Sequence, residues 1–335
     1  MPVSDPAAHA FQPVIAIHGG AGALSRSAMS ADKEQAYLAA LETILLAGQA
    51  ILANGGSALD AVTEAVRQLE DCPLFNAGHG AVFTSAGTHE LDASIMDGAT
   101  LRSGAVANVD RIRNPVLAAR AVMTHSKHVF FVGDGAHAFA REHGVDTVPR
   151  DYFSTPERRE QLARVQRDTP DAAVLDHDGR ALVEQTQPAP ADPLDADRKM
   201  GTVGAVAVDA LGNVAAATST GGITNKQVGR VGDAPMIGAG CYANNATCAV
   251  STTGTGEMFI RAVAAYDVAA QMAYQGASLE AAAHRVVHET LPRIQGMGGL
   301  IAVDAKGNVT LPFNTEGMYR GHARVGEAPV ALIYA

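Results

Sequence analysis

Residues 197–222 read DRKMGTVGAVAVDALGNVAAATSTGG. Charge stops at Lys199, and from Gly201 a run of small and apolar residues reaches Val208. That run, the D-x-x-G-N that follows and a second apolar run predict a strand, a tight turn and a returning strand. The design is used twice: AVDALGNV at 207–214 reappears as AVDAKGNV at 302–309. This is reuse of one hairpin plan and not a duplicated domain. The junction raises the question of function, because a polar, proline-rich stretch runs straight into a core strand with Gly201 and Thr202 at the seam.

Upstream, Val14 to Ile17 predict an apolar strand that breaks into the glycine-rich HGGAG at 18–22. Ser30 is placed as an N-cap with Asp32 in the first turn. Leu41, Ile44, Leu45, Gly48, Ile51 and Leu52 follow at helical spacing, and NGG at 54–56 closes that helix. SALD at 57–60 reads as a capping box for a second helix. GAVFTSAGTHELDASIMDG predicts strand, turn and strand. RNPVLAARAVM predicts a helix with proline in its first turn, HVFFVGDG a buried strand, and AHAFAREHG a helix closed by glycine. From about 156 to 200 charges and prolines crowd in; the first part carries a helix, and the part after about Asp176 reads as a flexible linker. Downstream, CAVSTTGTGEMFIRAVAAYDVAAQMAY predicts a strand, a Gly/Thr loop and one long helix, SLEAAAHRVVHETL another helix, and APVALIYA a final strand. Hairpin-type connections favour an α+β chain of antiparallel sheets covered by helices, in four layers, over a doubly wound parallel sheet.

The 335 residues are 47% apolar, enough for an ample core. A formal charge of −10 argues against nucleic-acid and anionic-membrane partners. Three cysteines, Cys72, Cys241 and Cys248, suit a reducing compartment better than a disulfide framework. The start has neither a basic n-region nor an apolar h-region, and no apolar run reaches about eighteen residues, so the expected location is cytoplasmic.

Several chemistries fail on their motifs. HGGAG resembles an esterase oxyanion loop, but the chain has no G-x-S-x-G elbow. There is no phosphate-binding G-x-x-x-x-G-K-[ST], GAGCYA at 238–243 lies outside any βαβ pattern, and HET at 288–290 lacks a second histidine. No Cys/His spacing suggests zinc, and His18 is read as structural. The seam offers something else. Cleavage after Gly201 would leave Thr202 as an N-terminus, whose α-amine, with an ordinary pKa of about 7.7–8, can take the proton of its own hydroxyl. The β-branch holds that hydroxyl in few orientations. From the seam alone, a strand that begins with Gly-Thr is the simpler reading. Other residues shift the balance: TSTGG at 218–222 brings Thr220 near Thr202 if the turn is a hairpin, GRVGD at 229–233 places Arg230 and Asp233 on one loop, and STTGTGE at 251–257 offers hydroxyls and amides where a strand meets a helix N-terminus.

With these residues the chain closely resembles the plant-type asparaginase/isoaspartyl peptidase family of N-terminal-nucleophile hydrolases. HGGAG, LEDCPLFNAGHGAVF, ELDASIMDG, RNPVLAAR, GTVGAVAVD, ATSTGG, GRVGD, GAGCYANN, TGTGE and LPFNTEGMYRG carry the likeness, in the family's order and over nearly the whole chain. The weakest match is the stretch before Gly201.

The resemblance implies a four-layer αββα sandwich, made as one precursor and cut between Gly201 and Thr202. The products would be an α chain of 1–201, with a linker at about 156–200, and a β chain of 202–335. It implies Thr202 as nucleophile, Thr220 as its hydroxyl partner, and Thr253 and Gly254 as the oxyanion hole. Arg230 would clamp the substrate α-carboxylate. Asp233 and the Gly256 carbonyl would receive the α-ammonium, and Asn76 would orient the site. It further implies a structural sodium ion on main-chain oxygens of Leu69, Glu70, Cys72, Phe75, Ala77 and His79, no catalytic cofactor, and an (αβ)2 heterotetramer. The implied substrates are L-asparagine and β-aspartyl dipeptides. Glycosylasparaginase shares the mechanism but is usually secretory, and taspase-like proteases need a different recognition surface. An uncut, inactive homologue acting as a binding protein is the alternative from another class.

Overall fold

The computed structural model describes residues 12–22, 24, 29–168 and 201–335. The core strands are apolar on both faces because each face meets a different partner. Along β1 (Val14–Gly22), β5 (Val203–Val208) and β6 (Val214–Thr220), alternate residues point to opposite sides. Ile15, Ile17, Ala205 and Ala217 pack beneath α1 (Ala31–Ala53), α2 (Ala58–Asp71) and α3 (Pro115–His125). Val14, Val206, Val208 and Ala216 turn the other way and meet Cys241, Ala249 and Ile301 of a second sheet. The outer face of that sheet, Val250 and Leu300, is covered by α6 (Gly256–Ala262), α7 (Ala264–Gln275) and α8 (Leu279–Arg285).

Among the described residues the larger sheet has eight strands in the order β12-β11-β1-β5-β6-β2-β3-β4, and the smaller has four, β10-β9-β8-β7. Their remaining members are β2 (Leu91–Asp97), β3 (Ser103–Val109), β4 (Phe130–Val132), β7 (Cys241–Ala243), β8 (Cys248–Gly254), β9 (Gly298–Asp304), β10 (Val309–Thr310), β11 (Gly317–Arg324) and β12 (Val330–Tyr334). All strand pairs are antiparallel except β3 with β4. The class is therefore α+β. Both repeated octapeptides form the expected hairpins, β5–β6 and β9–β10.

Five expectations are corrected. Residues 81–85 form no strand; the Val82 amide goes to the Asn76 side chain and the Thr84 amide to the Thr88 carbonyl, so turns consume the groups a ladder needs. β4 is an exposed edge, because only β3 lies beside it. The long helix after β8 breaks at Val263 (φ 49°), and the first amides of α7 instead reach the Ala239 and Gly238 carbonyls. The helix expected in the first part of 156–200 forms as α5 (Pro156–Asp168), tied down by Arg158 Nε donating to the Gly80 carbonyl at 2.7 Å, so the linker that the resemblance implies cannot begin at 156. The rest of the expected linker, 169–200, lies outside the described residues. Finally, α1 is apolar and long enough, by length and composition, to cross a membrane. Its Leu41, Ile44, Leu45 and Leu52 pack in the core beneath the large sheet.

Ser30 and Ser57 cap α1 and α2 as expected, accepting from Lys33 and Asp60 amides. Asp209 organises the first hairpin turn: its Oδ1 accepts from the Leu211 and Asn213 amides at 2.9 and 3.0 Å. Asp304 does the same for Lys306 and Asn308 in the second. Asp209 alone also accepts from the Ala58 amide at the start of α2 (3.2 Å), which joins turn to helix. We expect Asp209→Ala to destabilise the protein by about 2–3 kcal/mol and Asp304→Ala by about 1–2 kcal/mol. Equilibrium denaturation of the two variants side by side checks that order.

Candidate active site

The turn fixes the register of the hairpin, and the register fixes the site. Val208 pairs with Val214 and Val203 with Ser219, so one step further Thr202 stands opposite Thr220. Directly opposed residues share a sheet face. The Thr202 hydroxyl donates to the Thr220 hydroxyl at 3.2 Å, and Thr220 Oγ1 also accepts from the Gly222 amide at 3.0 Å. Both threonines are buried.

On the other side of β5, β1 pairs down to His18↔Gly204 and then departs, with a bulge between His18 and Gly20 in its pairing with β11. The bulge re-aims the chain next to the seam. Gly20 (φ 113°) passes so close that a Cβ there would fall 2.4 Å from the Gly201 nitrogen. His18 Nδ1 contacts the Thr202 carbonyl at 2.9 Å, so that nitrogen carries the proton, and Nε2 contacts Ser251 Oγ at 2.8 Å. Ser251 in turn lies 2.8 Å from Thr218 Oγ1. His18 is thus a buried strut between the two sheets, in line with its structural reading.

The facing side of the site comes from β8. Thr253 lies two residues beyond Ser251 and so projects from the same face. Its hydroxyl is buried and has no hydrogen-bond partner among the described residues, an unusual state for a buried polar group. Gly254 adopts φ 154°, and a Cβ there would collide with the Met297 carbonyl at 2.2 Å. Thr252, on the opposite face, donates to Asp233 Oδ2 at 2.7 Å. Burial pushes the Asp233 carboxyl up to about 6, against the pull of Thr252 and Arg230. Asp233 Oδ1 and Arg230 Nη2 converge on Gly256, 2.8 and 3.1 Å from where its Cβ would be. Arg230 does not pair with Asp233; its guanidinium grips Glu257 with two bonds of 2.9 Å.

Asn76 closes the site from the α2 side. Its Nδ2 donates to the Gly222 carbonyl at 2.7 Å, and its Oδ1 accepts from the Val82 amide at 2.9 Å. The loop that carries it begins at the C-terminal end of α2, whose last turn holds no basic residue. The Glu70 carbonyl accepts from the His79 amide at 2.7 Å and the Cys72 carbonyl from the Phe75 amide. Hard carbonyl oxygens at the negative pole of a helix suit a monovalent or divalent s-block cation, so the expected sodium ligands fit the ion. The Glu70 side chain turns away into the core, where Oε1 accepts from the Val116 amide and burial pushes the carboxyl up to about 8.

The sequence reading missed two buried charged residues near Thr220, Asp92 and Lys226. Asp92 is the cross-strand partner of Thr220 on β2, so Asp92, Thr220 and Thr202 form one row across three strands. Lys226 is fully buried; its Nζ donates to the Glu90 carbonyl at 2.8 Å and its side chain crosses Gly222. Burial pushes Asp92 up and Lys226 down, and the charge of each opposes the other's shift. The only signals in the sequence were the D of ELDAS and the K of TNKQ, neither distinctive by type or spacing.

A family model described as asparaginase matches residues 11–333, so the chain belongs to the asparaginase family. Among its relatives, the chain is 60% identical over 321 residues to an isoaspartyl peptidase of Escherichia coli (strain K12), covering 96% of each chain. It is 42% identical to an isoaspartyl peptidase/L-asparaginase of Xenopus laevis, over 92% of this chain and 91% of the relative. It is 39% identical to a protein of the same name from Homo sapiens, over 95% of each.

We expect Lys226→Met to destabilise the protein by about 3 kcal/mol, because it removes the donor of the buried Glu90 carbonyl and the cation that opposes the burial cost of Asp92. Adding Asp92→Asn recovers part of the loss. A double-mutant cycle by denaturant unfolding measures the coupling.

Proposed function

We propose that this chain is a threonine hydrolase that matures by cutting itself between Gly201 and Thr202. It then cleaves the β-amide of L-aspartyl units, taking β-aspartyl dipeptides to L-aspartate plus an amino acid and L-asparagine to L-aspartate plus ammonia. The Thr202–Thr220 hydroxyl pair, set on the same side as the unpartnered Thr253 hydroxyl, carries the reading.

In maturation Thr202 Oγ attacks the Gly201 carbonyl carbon. The peptide C–N bond breaks, an ester forms, and the α-amine is freed. Water then hydrolyses the ester, leaving the Gly201 carboxylate and an N-terminal Thr202. The HGGAG loop, pressed on Gly201, positions this step. In turnover the free α-amine takes the Thr202 hydroxyl proton, and Oγ attacks the substrate β-carbonyl. Thr253 Oγ–H and the Gly254 amide receive the developing oxyanion, and such donors are worth about 2.7–4 kcal/mol each. Thr220 supports the nucleophile. The amine then delivers the proton to the leaving nitrogen, and water hydrolyses the β-aspartyl ester. Arg230 binds the α-carboxylate, Asp233 and the Gly256 carbonyl receive the α-ammonium, and Asn76 orients the site. A zwitterion one methylene from the scissile carbonyl is common to both substrates, and this explains why one site serves them.

Around this chemistry the reading places one domain in the four-layer αββα arrangement of N-terminal-nucleophile hydrolases. Residues 1–201 and 202–335 become the α and β subunits, joined as an (αβ)2 heterotetramer in the cytoplasm. A structural sodium ion would sit on main-chain oxygens of Leu69, Glu70, Cys72, Phe75, Ala77 and His79. It would order the loop that carries Asn76 and supply no chemistry. The formal charge of −10 speaks against nucleic-acid and membrane partners.

Two experiments test the reading. The wild type should give a smaller fragment that begins Thr-Val-Gly-Ala, and Thr202→Ala should stay folded, uncut and inactive. Full aspartate release by an uncut Thr202→Ala protein would sink the mechanism. The second uses Asp233, held up at about 6 in the free site. Below that pH it is protonated and cannot pair with an ammonium. Affinity for L-aspartate should therefore weaken about tenfold between pH 7 and pH 5. Asp233→Asn should bind weakly and lose this dependence in calorimetric titrations.

A further inference from the structure

A guanidinium has two edges that can each hold a carboxylate: a side edge of Nε and one terminal nitrogen, and an end edge of the two terminal nitrogens. In Arg230 the side edge is taken. Nε donates to Glu257 Oε1 and Nη2 to Glu257 Oε2, each at 2.9 Å. The end edge remains. Nη1 has no hydrogen bond among the described residues, and Nη2 lies beside Gly256 at the point where Asp233 Oδ1 also arrives. The Arg230 side chain is only 16% exposed, whereas that of Glu257 is 48% exposed.

We infer that Glu257 is a positioning residue for substrate recognition: it fixes Arg230 by the side edge, so that the end edge, next to Asp233, is what meets the substrate α-carboxylate. This rests on Arg230 acting as the carboxylate clamp. Two effects oppose each other. The negative charge of Glu257 weakens the pull of Arg230 on a second carboxylate. That repulsion is screened, because Glu257 is half in water. The geometric effect is not screened. An unheld arginine has a long, flexible stem and would have to be ordered anew by each substrate. Orientation therefore outweighs the charge. A plainer role also exists, since Glu257 lies in the first turn of α6, where an acid favours the helix dipole. That role requires no partner 27 residues away and gains nothing from a two-bond grip.

The test uses the processed enzyme with L-asparagine and β-aspartyl-leucine, together with calorimetric titration of L-aspartate. Glu257→Ala should raise KM and the L-aspartate Kd by about three- to tenfold, with kcat within about twofold and self-cleavage complete. Glu257→Gln keeps a carbonyl oxygen for Arg230 and should recover most of the loss. It removes the charge and with it the helix-dipole contribution, so equal thermal destabilisation of both variants with KM and Kd unmoved would assign Glu257 to the helix alone and overturn the inference. A lower KM in Glu257→Ala would make Glu257 a competitor and also overturn it. Should Glu257→Ala fail to fold, Glu257→Asp, one methylene short, should show the raised KM. An active wild type with unmoved variants strikes only this inference. A processed wild type that turns over neither substrate strikes the hydrolase reading and this inference with it.

Discussion

The two hydrogen bonds that Asp209 Oδ1 accepts from the Leu211 and Asn213 amides set the length of the β5–β6 turn, and the site depends on that length. An antiparallel hairpin has a single register once its turn is fixed, and a slip of one residue would send every side chain to the opposite face. With Val208 against Val214, Thr202 comes opposite Thr220, and Thr220 comes opposite Asp92 on the next strand. The turn and the β2–β6 pairing together line up three polar side chains at one end of a largely apolar sheet. The same carboxylate receives the first amide of α2, so the turn and the helix that leads to Asn76 share an anchor.

The polar groups of the site are buried between two sheets, where an unmatched dipole or charge is costly. Most are matched. His18 bridges the Thr202 carbonyl and Ser251, Thr252 donates to Asp233 Oδ2, and Glu257 holds the Nε side of Arg230. Thr253 Oγ1, Asp92 Oδ2 and Ser219 Oγ have no hydrogen-bond partner among the described residues, and an open hydroxyl at Thr253 is what a site that receives a ligand group requires. Lys226 and Asp92 are both buried near Thr220, and the charge of each opposes the shift that burial imposes on the other. A cation in that position also biases the local field toward negative charge developing near the hydroxyl row.

Reading the sequence worked best where local chemistry decides the outcome. The Ser30 and Ser57 caps, Pro115 at the start of α3 and both D-x-x-G-N turns all formed as their residues require. It failed where a distant group intervened. The break at Val263 follows from the Ala239 and Gly238 carbonyls that take the first amides of α7. Nothing within the helix itself signals it. The absence of a strand at 81–85 likewise reflects a side chain, Asn76, that takes the Val82 amide.

By itself the sequence determined the seam at Gly201–Thr202, the hairpin that follows it, the family through the order of its motifs, and a loop carrying both Arg230 and Asp233. These are properties of neighbours along the chain, where turn geometry and residue type suffice. Only the tertiary structure decided that Arg230 grips Glu257 instead of Asp233, that Lys226 is buried with its Nζ on the Glu90 carbonyl, and that the Thr253 hydroxyl has no partner among the described residues. Each depends on which strands and loops are brought together, and on how much water the packing excludes from the charges between them. Neither can be read from spacing, because the partners are set by contacts between elements far apart in the chain.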